Sequence, residues 1–346
     1  MVSASDAAFH ARLTAYAAKN PRFAVGAAFA RGETDPEVVV AGNCHYRASQ
    51  PVTHDAAWHI GSITKSFTAA LIMRLIAQGR LELDQPIGEL LSPPEMPMHP
   101  DWRAITMGEA LSHTAGLRAN VPIIDLFKQE GDDRVAARLQ RLQAIWHRAP
   151  GGRRGRFAYS NVGYVLAGAV AESIVGRPWE DLIVTELARP LGLTSLGFGP
   201  PTGEDAVFGH VRFLGFHSAR DPAEKNADNP AWMGPAGGLR LSLGDLVRWG
   251  QAHLAAGQGR RPDFLTPDAC ALLHRPVSEE YGLGWVVQAV PEEGTTLIWH
   301  NGSNTMWYAV LALVPERDLV VAIAINRYDH AGGDALVKDL IKALLD

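Results

Sequence analysis

The chain has 346 residues, 47% of them hydrophobic and 20% charged, and a formal net charge of −5. This composition suits a globular chain of one large or two ordinary domains with a well-buried core, and it excludes a disordered polymer. The mild acidity, with no basic block, argues against a nucleic-acid surface.

Residues 3–19 read as an amphipathic helix capped by Ser5 or Asp6, with Phe9, Leu13 and Tyr16 on its apolar side. The N-terminus carries Asp6, His10, Arg12 and Lys19 and no apolar h-region, so the expected location is cytoplasmic as written, or periplasmic or secreted if a leader preceded it. Arg22–Ala30 and Glu37–His45 are apolar runs around a turn cluster, which predicts a hairpin. After a loop at Gln50–Asp55 comes Ile60-Gly-Ser62-Ile-Thr-Lys65-Ser, opening a helix whose Phe67, Leu71, Leu75 and Ile76 share a face and which Gly79 ends. Leu91–Pro100 is proline-dense loop.

Short helices are expected at Thr106–His113 and Asp132–Trp146. The basic turn Gly151–Arg156 leads into Tyr159-Ser160-Asn161 and an apolar helix to Val175, followed by another over Pro178–Ala188. Residues 200–235 are polar and aperiodic, a long surface excursion bordering a site. With the region around Asn120–Gly131 it is expected to set specificity. Helices follow at Ser242–Ala256 and Thr266–His274, then strands at Gly284–Val290, Thr295–His300, Trp307–Val314 and Leu319–Ile325, and a helix at Asp334–Leu345. Gly294–Pro315 has no charged residue and could mimic a membrane span. Its polar centre, His300–Asn304, instead predicts two buried strands joined by a turn, and no span.

Strands at both ends with helices between predict an α+β fold. Its mostly antiparallel, helix-flanked sheet draws on residues 1–80 and 232–346, and residues 81–231 form a mainly helical insert. The site is expected between them. The two cysteines, Cys44 and Cys270, form no metal pattern and are expected to be buried thiols.

Several chemistries are absent from the sequence. There is no G-x-S-x-G elbow, no H-E-x-x-H or other metal-ligand spacing, and no P-loop, since Thr64 stands where Gly must precede the lysine. No metal and no cofactor are expected. Three short elements remain. Ser62-x-x-Lys65 sets a hydroxyl one helical turn from an amine, at a helix N-terminus whose field lowers the amine's pKa and favours an oxyanion. Tyr159-x-Asn161 offers a proton shuttle and an amide contact. His300-x-Gly302-Ser303 ends a strand, where glycine admits close backbone approach and the next N–H can serve an oxyanion. Taken singly, a serine at a helix start is commonly a cap, and Asn161 suits a cap of the next helix.

Their order and setting resemble the penicillin-recognising serine hydrolases, and within them the group of class C β-lactamases, D-alanyl-D-alanine carboxypeptidases, D-aminopeptidases and β-lactamase-like esterases. Trp58-His-Ile-Gly-Ser62-Ile-Thr-Lys65, Leu111-Ser-His-Thr-Ala-Gly-Leu, Ala236-Gly-Gly-Leu, Tyr281-Gly-Leu-Gly-Trp and Trp299-His-Asn-Gly carry the likeness across nearly the whole chain. The resemblance implies Ser62 as acylated nucleophile, Lys65 as its proton acceptor or electrostatic partner, and Tyr159 as the acid/base for the leaving group. It implies Asn161 as a substrate-amide contact, His300 in place of the usual cation, and the Ser62 and Ser303 N–H groups as oxyanion hole beside Gly302. The chain has no K-x-G, whereas class C β-lactamases typically carry Lys-Thr-Gly there. The substrate expected is therefore a small ester or D-amino-acid peptide or amide rather than a β-lactam. A β-lactamase proper, and a binding module that acylates without turnover, are the alternatives. Trp299 and Trp307, flanking the third element, are candidates for an acyl pocket.

Overall fold

The computed structural model describes residues 3–91, 97–122, 133–214, 216–224 and 227–345. The chain opens with helix α1 (Ala4–Lys19), closed at its start by a Ser3/Asp6 capping box, two residues before the expected Ser5 cap. Strands β1 (Val25–Arg31) and β2 (Glu37–Ala41) form the predicted hairpin, and β3 (Ala57–His59) leads into a 3-10 turn at Gly61–Ile63 and helix α2 (Thr64–Ala77). Helices α3 (Arg134–Trp146) and α4 (Asn161–Val175) follow. The N-cap of α4 is Ser160, whose side chain accepts from Gly163 N–H, so Asn161 is not the cap and its amide is left for other contacts. Gly176, at φ 75°, ends the helix.

Beyond α4 lie the short strands β4 (Gly197–Phe198), β5 (Gly209–Phe213) and β6 (Phe216–Arg220), then β7 (Leu239–Ser242), α5 (Leu243–Gly257) and α6 (Pro267–Leu273). The hairpin of β5 with β6 lies within residues 200–235, where the sequence showed little periodicity and no strand was expected. Finally come β8 (Val286–Val290), β9 (Thr295–Ser303), β10 (Tyr308–Val314), β11 (Leu319–Ile325) and α7 (His330–Leu345), which begins four residues before its expected start.

The main sheet runs β2-β1-β11-β10-β9-β8, antiparallel throughout, so both chain ends build it. Every residue of β10 and β11 is buried, because helices cover both faces. On one face α1 and α7 lie together over a core of Phe9, Leu13, Val310, Ile323 and Leu340. On the other, α5 packs on β11 and β1 within a larger core that runs through α2 into the helical region. Helix α4 is buried all along Val162–Glu172, the pattern of a helix enclosed on all sides. Arg138 of α3, itself fully buried, reaches both Glu172 and Glu180 and donates from Nε to the Trp232 carbonyl at 3.0 Å. The helical region is thereby tied to the segment that precedes β7. Cys44 and Cys270 are free and buried. Among the described residues no helix is long and apolar enough to cross a membrane, and no group of acidic, histidine or cysteine side chains could hold a metal.

Candidate active site

Ser62 sits in the 3-10 turn just ahead of α2, slightly earlier than a helical first turn, and remains partly accessible. The turn is shaped by Gly61, at φ 50°, where a side chain would be strained and its Cβ would stand 2.2 Å from the Ser303 nitrogen. On the strand side, a Cβ on Gly302 would fall 1.9 Å from the Ile60 carbonyl oxygen and 2.6 Å from the Ser62 nitrogen. Backbone therefore lies directly on backbone, and the Ser62 and Ser303 amides become neighbours. β8 pairs with β9 no further than Trp299, so among the described residues the edge of β9 from His300 to Ser303 has no strand beside it there.

Lys65 is fully buried. Its Nζ lies 2.9 Å from Ser62 Oγ, 2.8 Å from Asn161 Oδ1 and 2.6 Å from the Ala236 carbonyl oxygen. The rings of Tyr159 and Tyr164 stand 4.8 and 5.4 Å from it. Burial drives its pKa well below that of a free lysine, and no carboxylate among the described residues hydrogen-bonds to it. Asn161 Nδ2 donates to Asn120 Oδ1 at 2.8 Å, which fixes the amide with its oxygen toward Lys65.

Tyr159 stands at the mouth. The residue is 36% exposed, but its hydroxyl meets the Ser62 hydroxyl, and desolvation there pushes the phenol pKa up. The loop that carries it is held by a residue the sequence reading did not assign a role, His113. The His113 carbonyl accepts from Ala158 N–H at 2.8 Å and its Nδ1 from Ser160 N–H at 3.0 Å, so both neighbours of Tyr159 are fixed by one residue. His113 adopts φ 62° to do so, an uncommon conformation for a non-glycine residue. Its ring packs 4.3 Å from that of Tyr159, and burial, then the nearby Lys65, depresses its pKa to about 2. The quoted segment Leu111–Gly116 was the available signal, but its chemistry became readable only once the fold brought it to Tyr159.

The expectation for His300 needs correction. Its Nδ1 faces the carbonyl of Asn301, which can only accept, so that nitrogen carries the hydrogen. Nε2 then accepts from the Tyr281 hydroxyl at 3.1 Å. With both nitrogens engaged, and burial and then Lys65 depressing its pKa to about 3, the imidazole is neutral and cannot replace a permanent cation. In the sequence Tyr281 is legible only as the first residue of Tyr281-Gly-Leu-Gly-Trp. Trp299 is excluded from any acyl pocket near Ser62, because it lies on the opposite face of β9, against the core under α1 and α7. Trp307 is fully buried and packs on His59, donating to the Val207 carbonyl at 3.1 Å.

Ser62, Lys65, Tyr159 and Asn161 thus converge directly, with Gly302 and Ser303 backbone to backbone against them. The arrangement is matched along the chain: residues 22–345 fit the family model described as Beta-lactamase. The protein belongs to the β-lactamase family. Penicillin-binding protein 4 of Amycolatopsis lactamdurans is 28% identical over 90% of this chain and 82% of its own. A D-stereospecific amidohydrolase from Streptomyces sp. superposes with a TM-score of 0.74 at 26% identity, covering 97% of both chains. The class C β-lactamase of Rhodobacter sphaeroides shares the fold, with a TM-score of 0.75 at 21% identity over 98% and 99% of the two chains. Within the β-lactamase family this chain is a serine hydrolase of the β-lactamase and penicillin-binding type.

Proposed function

We propose that the chain hydrolyses esters or D-configured amides through an acyl-enzyme on Ser62, without metal or cofactor. The observation that carries this reading is the setting of Lys65. Two of its contacts, Asn161 Oδ1 and the Ala236 carbonyl, can only accept, so a neutral amine gives each one N–H. Its lone pair is left for the Ser62 hydroxyl. Ser62 Oγ attacks the substrate carbonyl carbon as its proton passes to Lys65, and the oxyanion rests against the Ser62 and Ser303 N–H groups. Tyr159, kept as a phenol, protonates the departing oxygen or nitrogen and recovers a proton from Lys65. Water then repeats the sequence on the acyl-enzyme, and Asn161 holds the substrate amide.

The leaving side sets the substrate class. A carboxylate beside the scissile bond needs a cation, and His300 is neutral with both nitrogens engaged. Substrates whose leaving group lacks a carboxylate are therefore favoured over β-lactams and free C-terminal D-peptides. The likeness to a D-stereospecific amidohydrolase fits that preference.

The test compares wild type with Ser62→Ala on a p-nitrophenyl ester, a D-amino-acid amide and a fluorescent penicillin, with intact mass after each. An acyl adduct in wild type alone, with ester or amide turned over faster than penicillin, is expected. Equal hydrolysis by both proteins sinks the mechanism, and fast penicillin turnover sinks the substrate ranking. A lasting adduct without turnover would identify a binding module.

A further inference from the structure

One buried polar chain beside Ser62 takes no part in the steps above. Gly61 N–H can only donate, and it meets His59 Nδ1 at 3.1 Å, so the hydrogen of this imidazole sits on Nε2. That nitrogen lies 2.9 Å from the Asp228 carboxylate. The same carboxylate accepts from Asn304 Nδ2 at 2.8 Å and from Asn229 N–H at 2.7 Å. Asn304 Oδ1 in turn accepts from the N–H groups of Met306 and Trp307, at 3.2 and 3.3 Å. The imidazole of His59 is stacked on the Trp307 indole, ring centres 5.6 Å apart. All three side chains are more than nine-tenths buried: His59 is 0% exposed, Asn304 6%, and the Asp228 side chain 8%.

The ends of this chain are what give it meaning. One end grips the residue immediately before Ser62, the other the residue immediately after Ser303. Ser62 and Ser303 carry the two amides assigned above to the oxyanion hole, and they come from strands of different sheets, β3 leading to one and β9 to the other. Nothing in either sheet's ladder sets their separation. We propose that Asp228 is a positioning residue that, through His59 and Asn304, fixes the spacing of the Ser62 and Ser303 N–H groups. It acts from the 200–235 excursion, so this segment contributes to the reaction's geometry as well as bordering the site. The inference rests on the Ser62 acyl-enzyme reading and extends it to residues that touch no substrate.

The arrangement also explains why the carboxylate is needed. Three donors converge on Asp228, and an amide in its place has one acceptor oxygen and two donor hydrogens. An asparagine there leaves a donor facing a donor, either at His59 or at Asn304. An unpaired buried polar group is costly, so the two arms shift apart.

The experiment uses the full chain and a p-nitrophenyl ester, with Asp228→Ala, His59→Asn and Asn304→Ala. In His59→Asn the side-chain oxygen stands in for Nδ1, keeping the Gly61 contact while severing Asp228. Steady-state kcat and KM are measured beside inhibition by an aryl boronic acid, whose tetrahedral serine adduct places an oxygen in the oxyanion hole, and beside thermal melting. On the order of 10- to 100-fold loss in kcat is expected in each variant, with KM nearly unchanged and boronate affinity falling in step. Asp228→Ala combined with Asn304→Ala should be no worse than the weaker single variant, since both cut one chain. Variants with wild-type kcat, or a raised KM with kcat intact, overturn the proposal. If Asp228→Ala does not fold, the other two single variants decide by the same criteria. Wild type is read first: no turnover and no Ser62 adduct refute the acyl-enzyme reading itself, whereas turnover that survives in the variants refutes only the positioning role.

Discussion

At the scale of single residues, the site depends on an amine whose burial pushes its pKa well below that of a free lysine. Lys65 has three hydrogen-bond partners and no carboxylate among them, so burial dominates its shift. It is competent as a base when neutral, so kcat/KM for an ester should rise with pH and level off well below 10.5, the value of a free lysine. Tyr159 is pushed above its usual 10, so no falling limb from its ionisation is expected below that pH. His113 and His300, depressed to about 2 and about 3, stay neutral over the whole range and add no inflection near 6.5. A pH–rate profile that is still climbing at pH 10 would refute the neutral amine. Lys65→Arg should abolish turnover, because a guanidinium holds its proton at every accessible pH.

At the scale of elements, the contact that matters is β9 against the turn before α2. Gly302→Ala would drive a methyl group into the Ile60 carbonyl at 1.9 Å, and backbone cannot rotate away as a side chain can. The strand must withdraw from the nucleophile turn. The expected result is a loss of roughly 1–3 kcal/mol in urea-unfolding stability together with loss of ester turnover. A variant that keeps both would mean the two backbones are less closely engaged. This contact marks the boundary of what the sequence could tell. The long elements were readable because their patterns are local: Phe67, Leu71 and Leu75 at helical spacing, and unbroken apolar runs at Tyr308–Val314 and Leu319–Ile325. Ser62, Lys65, Tyr159 and Asn161 were readable as ordered short motifs. The β5–β6 hairpin was not, since it stands in a two-stranded sheet of its own and has little need of an alternating apolar face. His113 and Asp228 were also invisible as functional residues. Their meaning lies in hydrogen bonds to Ser160 and His59, far along the chain, which no local spacing encodes. The neutrality of His300 was not legible either, because Tyr281 and the burial come from the fold.

At the scale of the whole molecule, the burial that makes Lys65 a base also loads the core with histidines that cannot accept a proton. His113, His210 and His300 are each at most 2% exposed, and His253 is fully buried with both ring nitrogens unpartnered. Burial is the first cause in every case, depressing the pKa to about 2, about 4 and about 3 in the first three and well below 6.5 in His253. In the unfolded chain each would titrate near 6.5, so between that value and the depressed one the unfolded state binds more protons. Stability from these groups is complete above about pH 6.5 and is lost progressively as pH falls toward the folded values. Each histidine fully in that window steepens the loss by about 1.4 kcal/mol per pH unit. Glu172 works in the opposite sense, since burial raises its pKa and favours the fold at lower pH, but it is one acid against these four histidines and two more, His217 and His274, that burial also depresses. The melting temperature should therefore fall steadily from pH 7 to pH 5, while reversible unfolding measured by calorimetry takes up protons. A melting temperature at pH 5 equal to or above that at pH 7 would show that the buried histidines are not held neutral, and with them the environment assigned to Lys65 would lose its support.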